Sequence, residues 1–276
     1  MTDTAPAPRP TPQHDELLDR MTGGMVNDAI AEFTGSERLR PDGRPRPDLR
    51  AELKQIPNAR NAITTAVSLL LPAILVAGII AVDHWLAIVP GVFLMAVLQN
   101  RLFLLHHEGS HRLLFSSRRW NDLVGVTLCG WLAFGTGSHS YRRSHTNHHR
   151  DEFGPKEPDF LLYSLYPISR ESMRRKFVRD VTGVSAYRIL KPRLTGLFNR
   201  KYWKNSARFL LGQVAVFSLF ALAGRPWLYL FLWVLPYVSV YQVLNRLRAI
   251  AEHGGLTRSS DRRVTSHHIR QSWLAR

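Results

Sequence analysis

The stretch AITTAVSLLLPAILVAGIIAV, residues Ala62–Val82, decides the fold class of this 276-residue chain. It contains no charged side chain, and as an α-helix rising 1.5 Å per residue it can cross a hydrocarbon core of about 30 Å. An uninterrupted apolar run of this length is typical of a transmembrane helix and not of a helix in a soluble protein. The chain is therefore predicted to be an integral membrane protein.

A second apolar run follows at once and predicts a helical hairpin. Asp83 and His84 form a short polar turn, and Trp85–Leu105 then runs back through the membrane. Trp85 is placed at one interface, where amphipathic rings are common, and the long side chain of Arg101 can reach the other interface. These two helices form the first predicted hairpin.

Three later apolar segments complete the predicted fold. Leu123–Ser138 is short and Gly-rich, which favours a re-entrant or interfacial helix over a full crossing. Phe209–Gly224 and Pro226–Leu244 form a second hairpin. The prediction is an all-α integral membrane fold with about four transmembrane helices in two hairpins and a cytosolic, histidine-rich helical cap.

The distribution of charge predicts how the chain is oriented in the membrane and which kinds of partner it binds. The chain has 37 Lys and Arg against 21 Asp and Glu, and the basic residues lie between the apolar runs. With the N-terminus in the cytosol, only Arg225 falls on the far side, as the positive-inside rule requires. The basic segment Tyr141–Lys204 is predicted to form the cap, with helices on the lipid surface. No nucleic-acid recognition motif is legible, so nucleic acid is excluded as a partner.

The N-terminal part differs from the rest in composition. Residues 1–60 are polar and Pro-rich, without the apolar core of a signal peptide, and are predicted to be a cytosolic region preceding a membrane domain at 61–276. Cys129 is the only cysteine. An internal disulfide and a thiolate metal cluster are therefore excluded, and any metal must be held by His or carboxylate side chains.

Histidines are grouped where the apolar runs emerge on the predicted cytosolic side. His107 and His111 are four residues apart, and His148 and His149 follow His145 by three and four, so each group shares one helix face. His253 follows the last apolar run. Six imidazoles at one depth predict a metal site, because His is the commonest metal ligand. The alternative is that each is an ordinary surface residue.

The first group also fits another pattern. In HEGSH, His107 and His111 with Glu108 as general base match the H-E-x-x-H motif of zinc proteases. One zinc needs three protein ligands and a water, which leaves the second histidine group largely unused. A membrane metalloprotease is therefore the weaker reading.

The order and spacing of these motifs resemble the membrane fatty-acid desaturases and their hydroxylase and ketolase relatives. HEGSH at 107–111 resembles the first histidine box, HTNHH at 145–149 the second, and RAIAEHG at 248–254 a stretch that supplies one more ligand. The resemblance implies His107, His111, His145, His148, His149 and His253 as ligands of two iron ions, with O₂ as co-substrate. A third H-x-x-H-H box is absent: Val264 occupies its first position, and His267 and His268 supply only a partial substitute. The chain is therefore expected to be C-terminally incomplete.

The implied reaction is the introduction of a double bond into a fatty acyl chain, carried as a lipid, an acyl-CoA or an acyl-carrier ester. Electrons would come from an external donor such as ferredoxin or a small cytochrome, since the sequence has no flavin or haem motif. Hydroxylation or ketolation on the same di-iron site, an inactive fragment and a metal transporter are the alternatives. The acyl chain is expected near Val92–Leu105 and Leu123–Phe134.

Roles are also predicted for eight other acidic residues and histidines of the chain. Four acidic side chains are candidate partners of ligand imidazoles: Glu108, Asp151, Glu152 and Glu252. Four histidines are expected to be structural or surface residues: His14, His84, His106 and His139.

Overall fold

The structure, a computed structural model, describes residues 32–256 together with Glu16 and His267. Half of the predicted N-terminal region lies outside the described residues, as do His14, Val264 and His268. Within the described part the chain is helical, and its one β-type pairing is an isolated bridge between Leu39 and Pro45. The all-α prediction is confirmed for this part.

The helices are α1 (Pro47–Leu53), α2 (Asn58–Val82), α3 (Ile88–His111), α4 (Arg118–Trp120, Asn121–Leu128 and Cys129–Leu132 in succession), α5 (Ser140–Arg150), α6 (Phe160–Tyr163), α7 (Arg170–Val181), α8 (Val184–Thr195), α9 (Trp203–Leu222), α10 (Leu230–Val234 and Leu235–Val238) and α11 (Val240–His253). The middle part of α4 and the first part of α10 are π-helical. Short 3₁₀ turns precede α3 and follow α8.

Three helices in the described residues are long and apolar enough to cross a membrane: Asn58–Val82, Trp85–His111 and Trp203–Leu222. The fourth predicted span, Pro226–Leu244, is helical but interrupted. Ser239, with φ −121° and ψ −93°, separates α10 from α11, so neither piece has the length of a span. The count of four, the sidedness and the cytosolic cap remain predictions.

The chain divides into two compact units. The larger comprises residues 56–143 and 173–245, and its core is built from apolar side chains of α2, α3, α9 and α10. In this core the amide of Gln99 donates to the carbonyl of Trp233 at 2.8 Å. At one end Arg225 lies 3.3 Å from Asp83, which brings the α2–α3 turn beside the turn that follows α9.

Two glycines set the packing of α4 on α3. A Cβ at Gly109 would lie 2.6 Å from the Cα of Gly125, and one at Gly125 would lie 2.7 Å from the Cα of Gly109. The backbones therefore touch where the π-helical segment crosses the end of α3. The predicted short segment Leu123–Ser138 is thus a helix ending at Leu132 followed by irregular chain.

The smaller unit comprises residues up to 55, 144–172 and 246 onward. Its buried apolar cluster is Phe153, Phe160, Tyr163 and Leu256. The helical stretch that contains the second histidine group therefore continues into a loop with a core of its own.

Candidate metal centre

The end of α3 carries the first histidine pair. The rings of His107 and His111 are 4.7 Å apart between centroids and nearly perpendicular, as one helical turn allows. His107 Nδ1 lies 3.1 Å from a carboxylate oxygen of Glu108. Since an ionised carboxylate only accepts, this contact places the proton on Nδ1 and makes Nε2 the unprotonated ring nitrogen of His107.

The second group lies on α5. His145 and His148 are buried, and the ring of His149 lies 4.5 Å from that of His145 and 5.0 Å from that of His148. The Nε2 atoms of His145 and His149 are only 3.1 Å apart. Two unprotonated nitrogens repel at this distance, so either a shared proton or a cation between them is needed.

Four of the predicted residues form a cluster that could hold a metal ion. His107, His111, His145 and His149 each offer one nitrogen, and these four atoms lie within 4.8 Å of one another. Opposite ligands of an ion with bonds of about 2.1 Å are about 4.2 Å apart, so the spacing fits a single ion after small side-chain adjustments. Imidazole donors suit iron, zinc, copper and nickel.

His148 and His253 make a second grouping. Their rings are 5.0 Å apart, and both are buried. His253 Nδ1 is 3.2 Å from Glu152 Oε1, but without the alignment of a hydrogen bond, and it has no hydrogen-bond partner among the described residues. A buried ring nitrogen in that position is suited to a ligand role.

Glu157 organises this second grouping. Its carboxylate is hydrogen-bonded to Nδ1 of His148 and also accepts from the backbone N–H of Phe153 and the hydroxyl of Tyr163. The Glu157 side chain is fully buried. It therefore acts as a hub that orients the His148 ring and binds the loop to α6.

Burial and the neighbouring carboxylates control titration here. Burial lowers the pKa of His148, but the hydrogen bond and charge of Glu157 outweigh it, so the pKa is raised overall. Burial raises the pKa of Asp159, and the charge of Glu157 adds to that effect. Burial, with the same carboxylate, raises the pKa of the Tyr163 hydroxyl.

Two of the candidate acidic partners have other roles. The Asp151 carboxylate accepts from the backbone N–H of Lys156 at 2.7 Å, which shapes the loop after α5. Glu252 pairs with Arg248 at 3.1 Å on α11. Glu108 and Glu152 are the two that lie beside candidate ligands.

The other histidines among the described residues make structural hydrogen bonds. His106 Nδ1 donates to the carbonyl of Gly125 at 2.9 Å and is buried. His139 accepts from Arg142 at 2.9 Å, and His84 accepts from the N–H of Leu86 in the hairpin turn. His267 Nε2 bonds to a backbone carbonyl at 2.7 Å, which leaves its other ring nitrogen for any ligand role.

Sequence reasoning missed Glu157, whose carboxylate joins His148 to the loop after α5, and Arg142, which binds the last turn of α3. Glu157 stands in the polar, Pro-containing stretch GPKEPD after the second box, where a carboxylate is ordinarily solvated. Arg142 is one of many arginines. The only usable signal is position: Arg142 precedes His145 by three residues and thus shares its helix face.

An apolar pocket of about 260 Å³ lies among α2, α3, α4, α9 and α10 in the larger unit. Its lining includes Met95 and Leu102 of α3 and Leu132 of α4, which belong to the segments expected near the acyl chain, together with Val76 and Trp233. It could take a stretch of hydrocarbon.

Comparisons with known proteins agree with the motifs. A family model described as fatty acid desaturase matches residues 83–276. The chain is 23% identical over 190 residues to the dihydrorhizobitoxine desaturase of Bradyrhizobium elkanii, a match that covers 63% of this chain and 53% of that protein. The chain thus spans about half the length of this relative. No solved structure matches.

Proposed function

Because this chain belongs to the fatty acid desaturase family, we propose that it is an O₂-dependent membrane di-iron oxidoreductase that introduces a double bond into a fatty acyl chain. The observation that carries the proposal is the cluster of His107, His111, His145 and His149, which unites both histidine motifs around one point. Histidines that were merely surface residues would not be expected to bring four ring nitrogens so close together.

The proposed ligands follow from the two groupings. His107, His111, His145 and His149 would hold metal in the four-nitrogen cluster, and His148 and His253 would contribute from the second grouping. Bound iron would supply the one-electron oxidation that an unactivated methylene requires, which side-chain acids and bases cannot provide. The overall balance is –CH₂–CH₂– + O₂ + 2 e⁻ + 2 H⁺ → –CH=CH– + 2 H₂O.

The residues around the ligands orient rings and exclude water. Glu108 holds Nδ1 of His107 and Glu157 holds Nδ1 of His148, so that Nε2 is the proposed ligand atom of each ring. The apolar pocket beside Leu102 would receive part of the acyl chain, carried as a lipid, an acyl-CoA or an acyl-carrier ester.

Location and partners follow from the membrane helices. Residues 61–276 are proposed as a multi-pass membrane domain, with residues 1–60 and the histidine motifs on the cytosolic side. An external donor such as ferredoxin or a small cytochrome would deliver the two electrons. The basic surface of Tyr141–Lys204 would favour an acidic donor.

The protease reading is weakened by the same cluster. A zinc protease would use His107 and His111 with Glu108 as base, yet His145 and His149 approach the same point. Hydroxylation or ketolation on the same metal site differs from desaturation only in the product, so product analysis distinguishes the three reactions.

The test is metal analysis followed by product analysis of the purified, detergent-solubilised chain. We expect about two irons per chain and an unsaturated acyl product when ferredoxin, its reductase, NADPH and O₂ are supplied. The double variant His145→Ala/His149→Ala should lose both iron and product. His84→Ala, which removes an exposed histidine at the hairpin turn, is the matched control and should retain both.

Each contrary result has a definite meaning. A hydroxylated product would replace desaturation with hydroxylation. One zinc per chain with peptide cleavage would establish the protease. Iron retained in full by the double variant would show that the cluster is not the metal site.

A further inference from the structure

Arg142 is a part-buried cation on the first turn of α5, with 13% of its side chain exposed. Its Nε donates to the carbonyl of Ser110 at 3.0 Å, and one terminal nitrogen donates to the carbonyl of Gly109 at 2.8 Å. The same nitrogen is paired with the carboxylate of Asp122, and the other donates to His139 at 2.9 Å. Every nitrogen of the guanidinium thus has a partner.

The two carbonyls that Arg142 binds belong to the last turn of α3. The final four carbonyls of a helix have no partner within the helix, and their partial negative charge favours a cation. The Gly109 carbonyl also accepts from Asn121 at 2.8 Å. Arg142 and α4 therefore hold the end of α3 at one point.

The residues that these hydrogen bonds join lie close in sequence to the two histidine motifs. His107 precedes Gly109 by two residues and His111 follows Ser110 directly, while His145 and His149 follow Arg142 by three and seven residues on one helix face. The guanidinium thereby sets how α5 begins relative to the end of α3.

We infer that Arg142 is a positioning residue for the metal centre: it holds the last turn of α3, which carries His107 and His111, against the first turn of α5. The inference rests on the proposed function, since it concerns the same four ligands. The carboxylate of Asp122 balances the part-buried charge of Arg142 and orients the guanidinium plane.

Lysine could not replace Arg142 in this role. An ammonium can pair with Asp122 but lacks the planar fork that reaches two successive carbonyls while holding a carboxylate. Arg143, the next residue, is exposed. It carries the same charge on the same helix and is therefore the matched control.

The experiment measures metal affinity apart from catalysis. Wild type, Arg142→Lys, Arg142→Gln and Arg143→Gln are purified in detergent, stripped of metal and titrated with Fe²⁺ under anaerobic conditions against a chromogenic chelator. Co²⁺ is titrated in parallel, because its visible absorption bands report ligand geometry. Thermal unfolding of each metal-free protein is recorded as a folding control.

Removing partners that orient metal ligands typically lowers metal affinity about 10- to 100-fold. We expect a loss in that range for Arg142→Gln and Arg142→Lys, with altered Co²⁺ bands, and no change for Arg143→Gln. Arg142→Lys should remain folded, because it retains the charge opposite Asp122, and so separates positioning from folding.

Three results would each overturn a different part of the account. If Arg142→Lys and Arg142→Gln bind Fe²⁺ as tightly as Arg143→Gln, with unchanged Co²⁺ bands, Arg142 is not a positioning residue and the proposed function still stands. If the wild type binds neither metal, the proposed function fails first. An affinity loss matched by an equal fall in metal-free stability of Arg142→Lys would reduce Arg142 to a folding role.

Discussion

Gly125→Ala should loosen the contact between α4 and α3 and, with it, the metal centre. The new Cβ would lie 2.7 Å from the Cα of Gly109 and 3.1 Å from a methyl group of Leu114. Carbon atoms normally approach to about 3.5–4.0 Å, so the two backbones must separate by about 1 Å. The Gly109 side of the contact is backbone and cannot rotate away.

The cost follows from overpacking at a backbone contact. Such insertions destabilise by about 1–3 kcal/mol, which at 1.4 kcal/mol per factor of ten is about a 5- to 150-fold change in the unfolding equilibrium. The shift would also strain the 2.9 Å hydrogen bond from His106 to the Gly125 carbonyl. Because Gly109 lies two residues from both His107 and His111, we expect iron occupancy to fall as well.

Thermal unfolding in detergent, with iron analysis of the same samples, measures both effects. Gly78→Ala is the matched control, because a Cβ at Gly78 on α2 would meet nothing within 4 Å. It should leave the midpoint unchanged or raise it, since alanine favours helix over glycine. Gly125→Ala should lower the midpoint by about 2–12 °C. Equal midpoints and iron contents for the two variants would refute the reasoning.

The remaining predictions concern charge, one buried hub and the metal. Glu157→Gln should lower the free energy of unfolding by about 1–3 kcal/mol in a denaturant titration, because an amide cannot accept from all three donors. Tyr163→Phe removes only one of these hydrogen bonds and should lower it by about 0.5–1.5 kcal/mol. Equal stability of Glu157→Gln and the wild type would contradict the role of Glu157 as a hub. Asp83→Asn should change stability by less than about 1 kcal/mol, since its pair with Arg225 is exposed, and a larger loss would show that the pair holds the hairpin turns. Removing metal with a chelator should lower the midpoint of thermal unfolding, and re-addition of Fe²⁺ should restore it. At a metal concentration of 100 Kd, binding stabilises the folded protein by about 2.7 kcal/mol. An unchanged midpoint would argue against a bound metal.

The helical fold and the ligand candidates were accessible from sequence because both depend on short-range periodicity. Ala62–Val82 is apolar over its whole length, and the structure has a helix over Asn58–Val82 that is long enough to span. His107 and His111 lie on one helix turn, as do His145 and His149. The break at Ser239 was not accessible, because an apolar segment reads the same whether its helix is continuous or interrupted.

The sequence by itself therefore determined the helical class of the molecule, three apolar helices long enough to span a membrane, and which histidines share a helix face, since spacing along a helix is a local property. Only the tertiary structure separated the six candidates into a four-nitrogen cluster and a pair beside Glu157. It also revealed the glycine contact between α3 and α4 and the bonds of Arg142 to the end of α3. These features join residues 16 to 33 positions apart in the chain, and no local pattern records which distant carbonyl or backbone a side chain will meet.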